Sequence, residues 1–207
     1  HDLRTPLTSI LGYLDLLKDS SLSAEQMEYL DIIQKRSQHL NTLISQLYEY
    51  VRLESRELKL KKETLDLRLL LQEHLLSFYQ EFEAKGISLT PHLPKGNVWV
   101  SSDRDALMRI LHNLTSNILK YGAKEVSISL TADGNKAILT CSNPAPELTP
   151  ENAAHLFDPF YTADNARTAQ KSGLGMTVSK LLLEQMGGSM DARLKDGILT
   201  ITCCWVQ

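Results

Sequence analysis

The sequence has little cysteine. Its three thiols, Cys141, Cys203 and Cys204, show neither the paired spacing of a zinc site nor that of a disulfide framework, so they read as packing residues suited to a reducing compartment. Charge of one sign is also lacking. A net charge of -3 gives no general attraction to nucleic acid or anionic lipid, so no nucleic-acid partner is expected. No run of about 18 apolar residues occurs and no signal-peptide pattern stands at the start, so this segment is expected to make no direct membrane contact. Internal repeats and low-complexity tracts are absent. The first sixty residues hold one glycine, Gly12, one proline, Pro6, and no alternating pattern, which excludes strands there.

What remains is 207 residues with 43% hydrophobic content, enough for one core and a helical appendage. The spacing predicts a first helix to about Lys18, a turn in "DSSLSAEQ" with Ser23 as N-cap, and a second helix from Ala24 to about Glu57. Ile33, Leu40 and Leu47 recur every seven residues on that second helix, with Leu30, Ile44 and Val51 on a neighbouring row. Two helices cannot enclose such a seam, so two copies are expected to form a four-helix bundle, a homodimer. The alternative is a contact with the second module.

From about Lys59 the pattern becomes α+β. "LKLKKETLDL" reads as strand, Leu67 to Lys85 as helix, and "ISLTP" and "NVWVS" as short strands. A helix from Asp103 to Tyr121 precedes strands at Glu125–Leu130 and Ala137–Ser142, joined through Asp133-Gly134-Asn135. A loop-rich stretch from Asn143 to Ser172 holds one short helix before "LFDPFY". A helix from about Gly173 to Met186 and a hairpin turning at Asp196-Gly197 complete the chain. The domains are expected at 1–60 and 61–207.

Three stretches carry chemistry. In "HDLRTPLTSI", His1 and Thr5 share a helical face. A neutral imidazole is a nucleophile near pH 7, and the Asp2 carboxylate can hold the proton of one ring nitrogen while the other presents its lone pair. A helix-start acid beside a chance histidine is the plainer reading of the dipeptide. In "RILHNLTSNILKYG", Asn113 and Asn117 lie on one face with Lys120 and Tyr121 a turn further on. Amide oxygens suit magnesium, a lysine suits phosphate and a tyrosine ring suits a base, whereas a solvated polar face is the bland alternative. In "KSGLGMTVSKLLLEQMGG", Gly173 and Gly175 precede an amphipathic helix whose first N–H groups can cradle phosphate.

Taken in order, "HDLRTPLTSI", "RILHNLTSNILKYG", "LFDPFYTAD" and "SGLGM" resemble the H, N, F and second glycine boxes of the sensor histidine kinases, across essentially the whole chain. The resemblance implies a dimerisation and phosphotransfer hairpin, then an α+β two-layer ATP-binding domain of the Bergerat type. It implies that His1 accepts phosphate, Asp2 acts as its general base and Thr5 positions water for dephosphorylation. Asn117 would bind Mg2+, and Asn113, Lys120, Tyr121, Gly173, Leu174 and Gly175 would line the ATP. The partner implied is the receiver domain of a response regulator.

One box departs from the pattern. Where the family usually has D-x-G-x-G, this chain reads "CSNPAPEL", with Asn143 at the aspartate position and Pro144, Ala145 and Pro146 in place of the flexible glycine segment. An amide oxygen still accepts a hydrogen bond from an adenine amino group, more weakly than a carboxylate. The altered box supports a second reading, a dimeric scaffold that binds a regulator without catalysis; a third is a conformational ATPase like other proteins of the same fold, which lack an H box. Because the chain opens at the histidine itself, the first helix is expected to begin upstream, in the intracellular part of a membrane-anchored sensor.

Overall fold

The computed structural model describes residues 4–18, 22–55, 57–122, 124–162 and 173–206, with only the backbone of 4 and 5. Two antiparallel helices come first, α1 (Arg4–Lys18) and α2 (Ala24–Glu54). Ser23 caps α2 as expected: its Oγ accepts from the Gln26 N–H at 3.3 Å, and Gln26 Oε1 accepts from the Ser23 N–H at 2.9 Å. Gln34 Nε2 donates to Asp15 Oδ1 at 2.7 Å and Lys18 pairs with Asp31 at 3.5 Å. That register sets the start of α1 beside the last turns of α2.

Leu7, Leu14 and Leu30 are buried within the hairpin. The seven-residue row of α2 is not: Ile33, Leu40 and Leu47 are 50%, 49% and 39% exposed, and Ile10 and Leu17 of α1 are uncovered with them. Of the neighbouring row, Leu30 turns inward, Ile44 is half-buried and Val51 is exposed. The helix stops at Glu54, three residues before the expected end. Gln185 Nε2 takes the Leu53 carbonyl at 2.6 Å, the acceptor that the Glu57 N–H would use in a continuing helix, and that N–H bonds Arg52 O at 3.0 Å instead.

The second module starts with β1 (Glu63–Asp66), α3 (Leu67–Ser77), α4 (Tyr79–Ala84), β2 (Ser88–His92) and β3 (Trp99–Ser102). Only four residues of the strand-like stretch from Lys59 are strand, because their partner β3 is equally short. The Lys61 N–H goes to the Asp103 carboxylate at 2.7 Å. The single helix expected over Leu67–Lys85 breaks at Phe78. The Phe78 N–H bonds Leu75 O, three residues back, while its ring packs between His74 at 4.9 Å and His112 at 5.6 Å.

Next come α5 (Arg104–Tyr121), β4 (Glu125–Asp133), β5 (Lys136–Pro144), α6 (Pro150–Ala154), α7 (Gly175–Gln185), β6 (Ser189–Lys195) and β7 (Ile198–Val206). Five strands form one mixed sheet in the order β2-β4-β5-β7-β6, with β2 parallel to β4 and the other pairs antiparallel. Alternate residues face the helices: Val126, Ile128 and Leu130 on β4, Leu139 and Cys141 on β5, Ile201, Cys203 and Trp205 on β7. Leu107, Ile110, Leu111, Leu114 and Ile118 of α5 and Val178 and Leu182 of α7 complete the core at helical spacing. The Asp196-Gly197 turn has both residues at positive φ, as a tight hairpin needs.

Cys141 and Cys203 are buried packing residues, and burial pushes the Cys141 thiol up to about 12. The two modules touch through side chains of α2. Glu49 pairs with Arg109 of α5, the Tyr50 ring meets Phe160 edge-on at 6.4 Å, and Leu53 is sealed into the core of the second module.

Candidate functional site

The candidate site is built on α5, the start of α7 and the end of β5. Asp103 caps α5 by accepting from the Ala106 N–H at 2.9 Å. With the apolar stripe of α5 turned to the sheet, Asn113 and Asn117 fall on its flank and are half-buried. Lys120 is exposed and Tyr121 is 43% exposed, both in the last turn. That turn is held from outside: Lys85 Nζ donates to Leu119 O at 2.6 Å, and the Gly122 N–H to Ile118 O at 2.6 Å. A Cβ at Gly122 would lie 2.4 Å from the Ile118 carbonyl oxygen, so a glycine is required there.

Ser23, Asp66, Asp103 and Thr149 cap α2, α3, α5 and α6 with their side chains, whereas α7 begins at Leu174 with no side-chain cap bond among the described residues. A helix start of this kind offers backbone N–H groups and a positive dipole end to an anion. It begins at Gly175, two residues later than expected. Gly173 has φ +64°, outside helical space, and a Cβ there would meet the backbone of Phe160 and Tyr161 at 2.5 to 2.8 Å. The helix ends at Gln185, with Gly187 at φ +91°.

Gly175 faces Asn113: a Cβ on it would lie 3.6 Å from the amide carbon and oxygen. Asn113 Nδ2 donates to Gly175 O and to Ser179 Oγ, both at 2.9 Å. The N-box and glycine-box stretches are therefore joined by hydrogen bonds.

Asn143 belongs to β5, not to the loop after it. It pairs with Leu199 and occupies the last inward position of the row Ala137, Leu139, Cys141, Asn143. Pro144 closes the strand opposite Ile198, where a missing donor is tolerated. Asn143 is 4% exposed, and its Nδ2 donates to Pro144 O at 3.0 Å, which leaves the amide oxygen as the accepting end. The proline segment is anchored by the Ala145 N–H on Gly197 O at 2.8 Å.

The "LFDPFY" stretch is braced on α6 and α7. Tyr161 Oη donates to Asn152 Oδ1 at 2.7 Å, His155 pairs with Asp158 at 2.6 Å, and Lys180 Nζ stands 4.9 Å over the Phe157 ring. Phe160 holds φ +62°, a strained value for a side chain of that size.

The structure thus joins Asn113 of α5 to Gly175 of α7, with Asn117, Lys120 and Tyr121 further along α5, Gly173 and Leu174 just before α7, and Asn143 at the end of the inward row of β5. His1 and Asp2 lie outside the described residues, as does the side chain of Thr5. Sequence reasoning missed Ser179 and Lys85. A serine inside an apolar helix was the available signal for the first, and nothing in the local pattern marks the second.

Residues 1–56 match the family described as "His Kinase A (phospho-acceptor) domain", and residues 102–206 match the "Histidine kinase-, DNA gyrase B-, and HSP90-like ATPase" family. The chain is 33% identical over 201 residues to the sensor protein VanSC of Enterococcus gallinarum, covering 95% of this chain and 55% of that protein. It is 32% identical over 203 residues to the sensor protein SrrB of Staphylococcus aureus, covering 95% of this chain and 35% of that one. The chain thus spans about half of the first relative and a third of the second. Full-length ShkA, solved in complex with AMPPNP, superposes with a TM-score of 0.85 at 25% identity over 99% of this chain and 44% of its own. The Acinetobacter baumannii histidine kinase AdeS superposes at 0.70 and 22% identity over 100% of this chain and 97% of its own, which supports the fold. With a phosphoacceptor hairpin and an ATPase module in one chain, this protein belongs to the sensor histidine kinases of two-component systems.

Proposed function

We propose that the chain transfers the γ-phosphoryl group of ATP to His1 and passes it to an aspartate on the receiver domain of a response regulator. The observation that carries this is the junction of α5 and α7, where half-buried Asn113 bonds the first turn of α7, Asn117 lies one turn further along α5, and Asn143 ends the inward sheet row. The parts suit the parts of Mg·ATP. The first N–H groups of α7 would receive phosphate oxygens, Lys120 adds a cation, and Tyr121 offers its ring to the base. The Asn143 oxygen, its nitrogen already engaged on Pro144, accepts from the adenine amino group.

Mg2+ bound with the nucleotide would offset the charge of the phosphates, with the Asn117 oxygen as its protein ligand. The rest of the acceleration is positioning. The neutral His1 imidazole attacks the γ-phosphorus through one nitrogen, the bond to the β-phosphate bridging oxygen breaks, and Asp2 takes up the proton on the other nitrogen's side. Thr5, four residues on, would hold water for the reverse task of removing phosphate from the regulator.

The dimer belongs to the same reading. The uncovered rows Ile10 and Leu17 on α1 and Ile33, Leu40 and Leu47 on α2 are the surface a second hairpin would cover, making a four-helix bundle. Among the described residues no helix is long and apolar enough to cross a membrane. We place this segment on the cytoplasmic side of a membrane-anchored sensor. Incubation with ATP labelled at the γ-phosphate tests the whole: label should stay on the protein, be released by acid, and move to a receiver domain on mixing. Label that never becomes covalent would favour the scaffold or the conformational ATPase.

A further inference from the structure

Ser179 is wholly buried in the second turn of an apolar helix, where serine is a poor helix former and where an alanine would pack without a polar group. Its hydroxyl is fully used. Oγ donates to Gly175 O at 2.9 Å and accepts from Asn113 Nδ2 at 2.9 Å, while the same Nδ2 donates to Gly175 O at 2.9 Å. Three polar atoms from two helices form a closed ring of hydrogen bonds.

The ring decides which end of the Asn113 amide a ligand meets. The nitrogen end of the amide faces two acceptors of α7. A turned-over amide would set its oxygen against the Gly175 carbonyl oxygen, acceptor against acceptor. The Ser179 hydroxyl could donate to that oxygen only by giving up its bond to Gly175 O. The oxygen is therefore the end left for the site, and an oxygen serves a cation or its bound water, not a phosphate oxygen.

We propose that Ser179 is a positioning residue, which through this ring holds the Asn113 amide oxygen toward the magnesium-bearing side of the nucleotide and ties the start of α7 to α5. The proposal rests on the ATP-site reading above. It differs in kind from a packing role, because its effect on the metal-bound nucleotide passes through Asn113.

A double-mutant cycle with Ser179→Ala and Asn113→Ala tests it, with calorimetric titration of ATP in the presence of Mg2+ and in the presence of a chelator. Loss of one buried hydrogen bond predicts that Ser179→Ala weakens Mg·ATP by about fivefold and leaves metal-free ATP unchanged. In the Asn113→Ala background, Ser179→Ala should add nothing. Equal weakening in both backgrounds, or with and without the metal, would overturn the proposal in favour of simple packing. The ring itself is read without nucleotide: in an amide NMR spectrum the Asn113 side-chain NH2 signals should resist hydrogen exchange in the parent protein and lose that protection in Ser179→Ala. Unprotected signals in the parent would sink the proposal. Failure of the parent to bind ATP would sink only the reading of the site.

Discussion

The hairpin and the ATP module treat the same residue type in opposite ways. Leu107 on α5 is fully buried in a core that its own chain closes, whereas Leu40 on α2 is 49% exposed in a row left uncovered among the described residues. Both helices are amphipathic, so periodicity alone does not tell them apart. The difference lies in what faces the stripe: a five-stranded sheet in one case, solvent or a second copy in the other. One module closes its core around a sheet, and the other keeps an apolar row open for the second copy proposed above.

Truncation breaks this comparison most sharply. Leu107→Ala should cost about 2–5 kcal/mol of stability in denaturant unfolding, because it leaves a cavity in a closed core. Leu40→Glu combined with Leu47→Glu should leave the unfolding of the ATP module in place and lower the mass in light scattering to that of a monomer. A stable dimer in that double variant would put the seam elsewhere.

A smaller effect comes from a buried titratable group in the closed core. His74 is 5% exposed and bonded to Thr115 Oγ1 at 3.0 Å. Burial, with His112 nearby, holds its pKa below the usual histidine value. The unfolded chain therefore binds a proton more readily than the folded one. Stability from this group is present above about pH 6.5 and is lost as pH falls from there toward the folded pKa, by at most about 1.4 kcal/mol per pH unit. His74→Gln should flatten the slope in that range, and an unchanged slope would assign the acid sensitivity to other groups.

The smallest effect expected is at Asn143. Asn143→Ala should weaken ATP several-fold, about 1 kcal/mol, with little change in fold, and Asn143→Asp should tighten it, since a charged acceptor bonds about twice as strongly. Calorimetry with ATP and GTP side by side reads both. Unchanged affinity in both variants would remove Asn143 from the adenine contact.

Most of the architecture was legible because it is locally encoded. Ser23 with Gln26 three residues on marks a helix start, Asp196-Gly197 marks a hairpin, and the α5 stripe marks a buried face. What was not legible depends on residues far apart in sequence. The Gln185 amide ends α2 by taking a carbonyl 132 positions away, and Phe78, where the expected helix breaks, packs its ring 5.6 Å from that of His112 on another helix. The site divides in the same way. Asn113, Asn117 and Gly173 could be named from short motifs, but Ser179 acquires its meaning only when α7 is set against α5.

The central claim is that the ATP module phosphorylates the hairpin of this protein at one residue. The chain has six histidines, His1, His39, His74, His92, His112 and His155, so the position of the phosphate is informative. Mass spectrometry at neutral pH after reaction with Mg·ATP should place one phosphate on the peptide that contains His1, and His1→Gln should carry none. Phosphate on another histidine, or on an acid-stable hydroxyl in both proteins, would contradict the account.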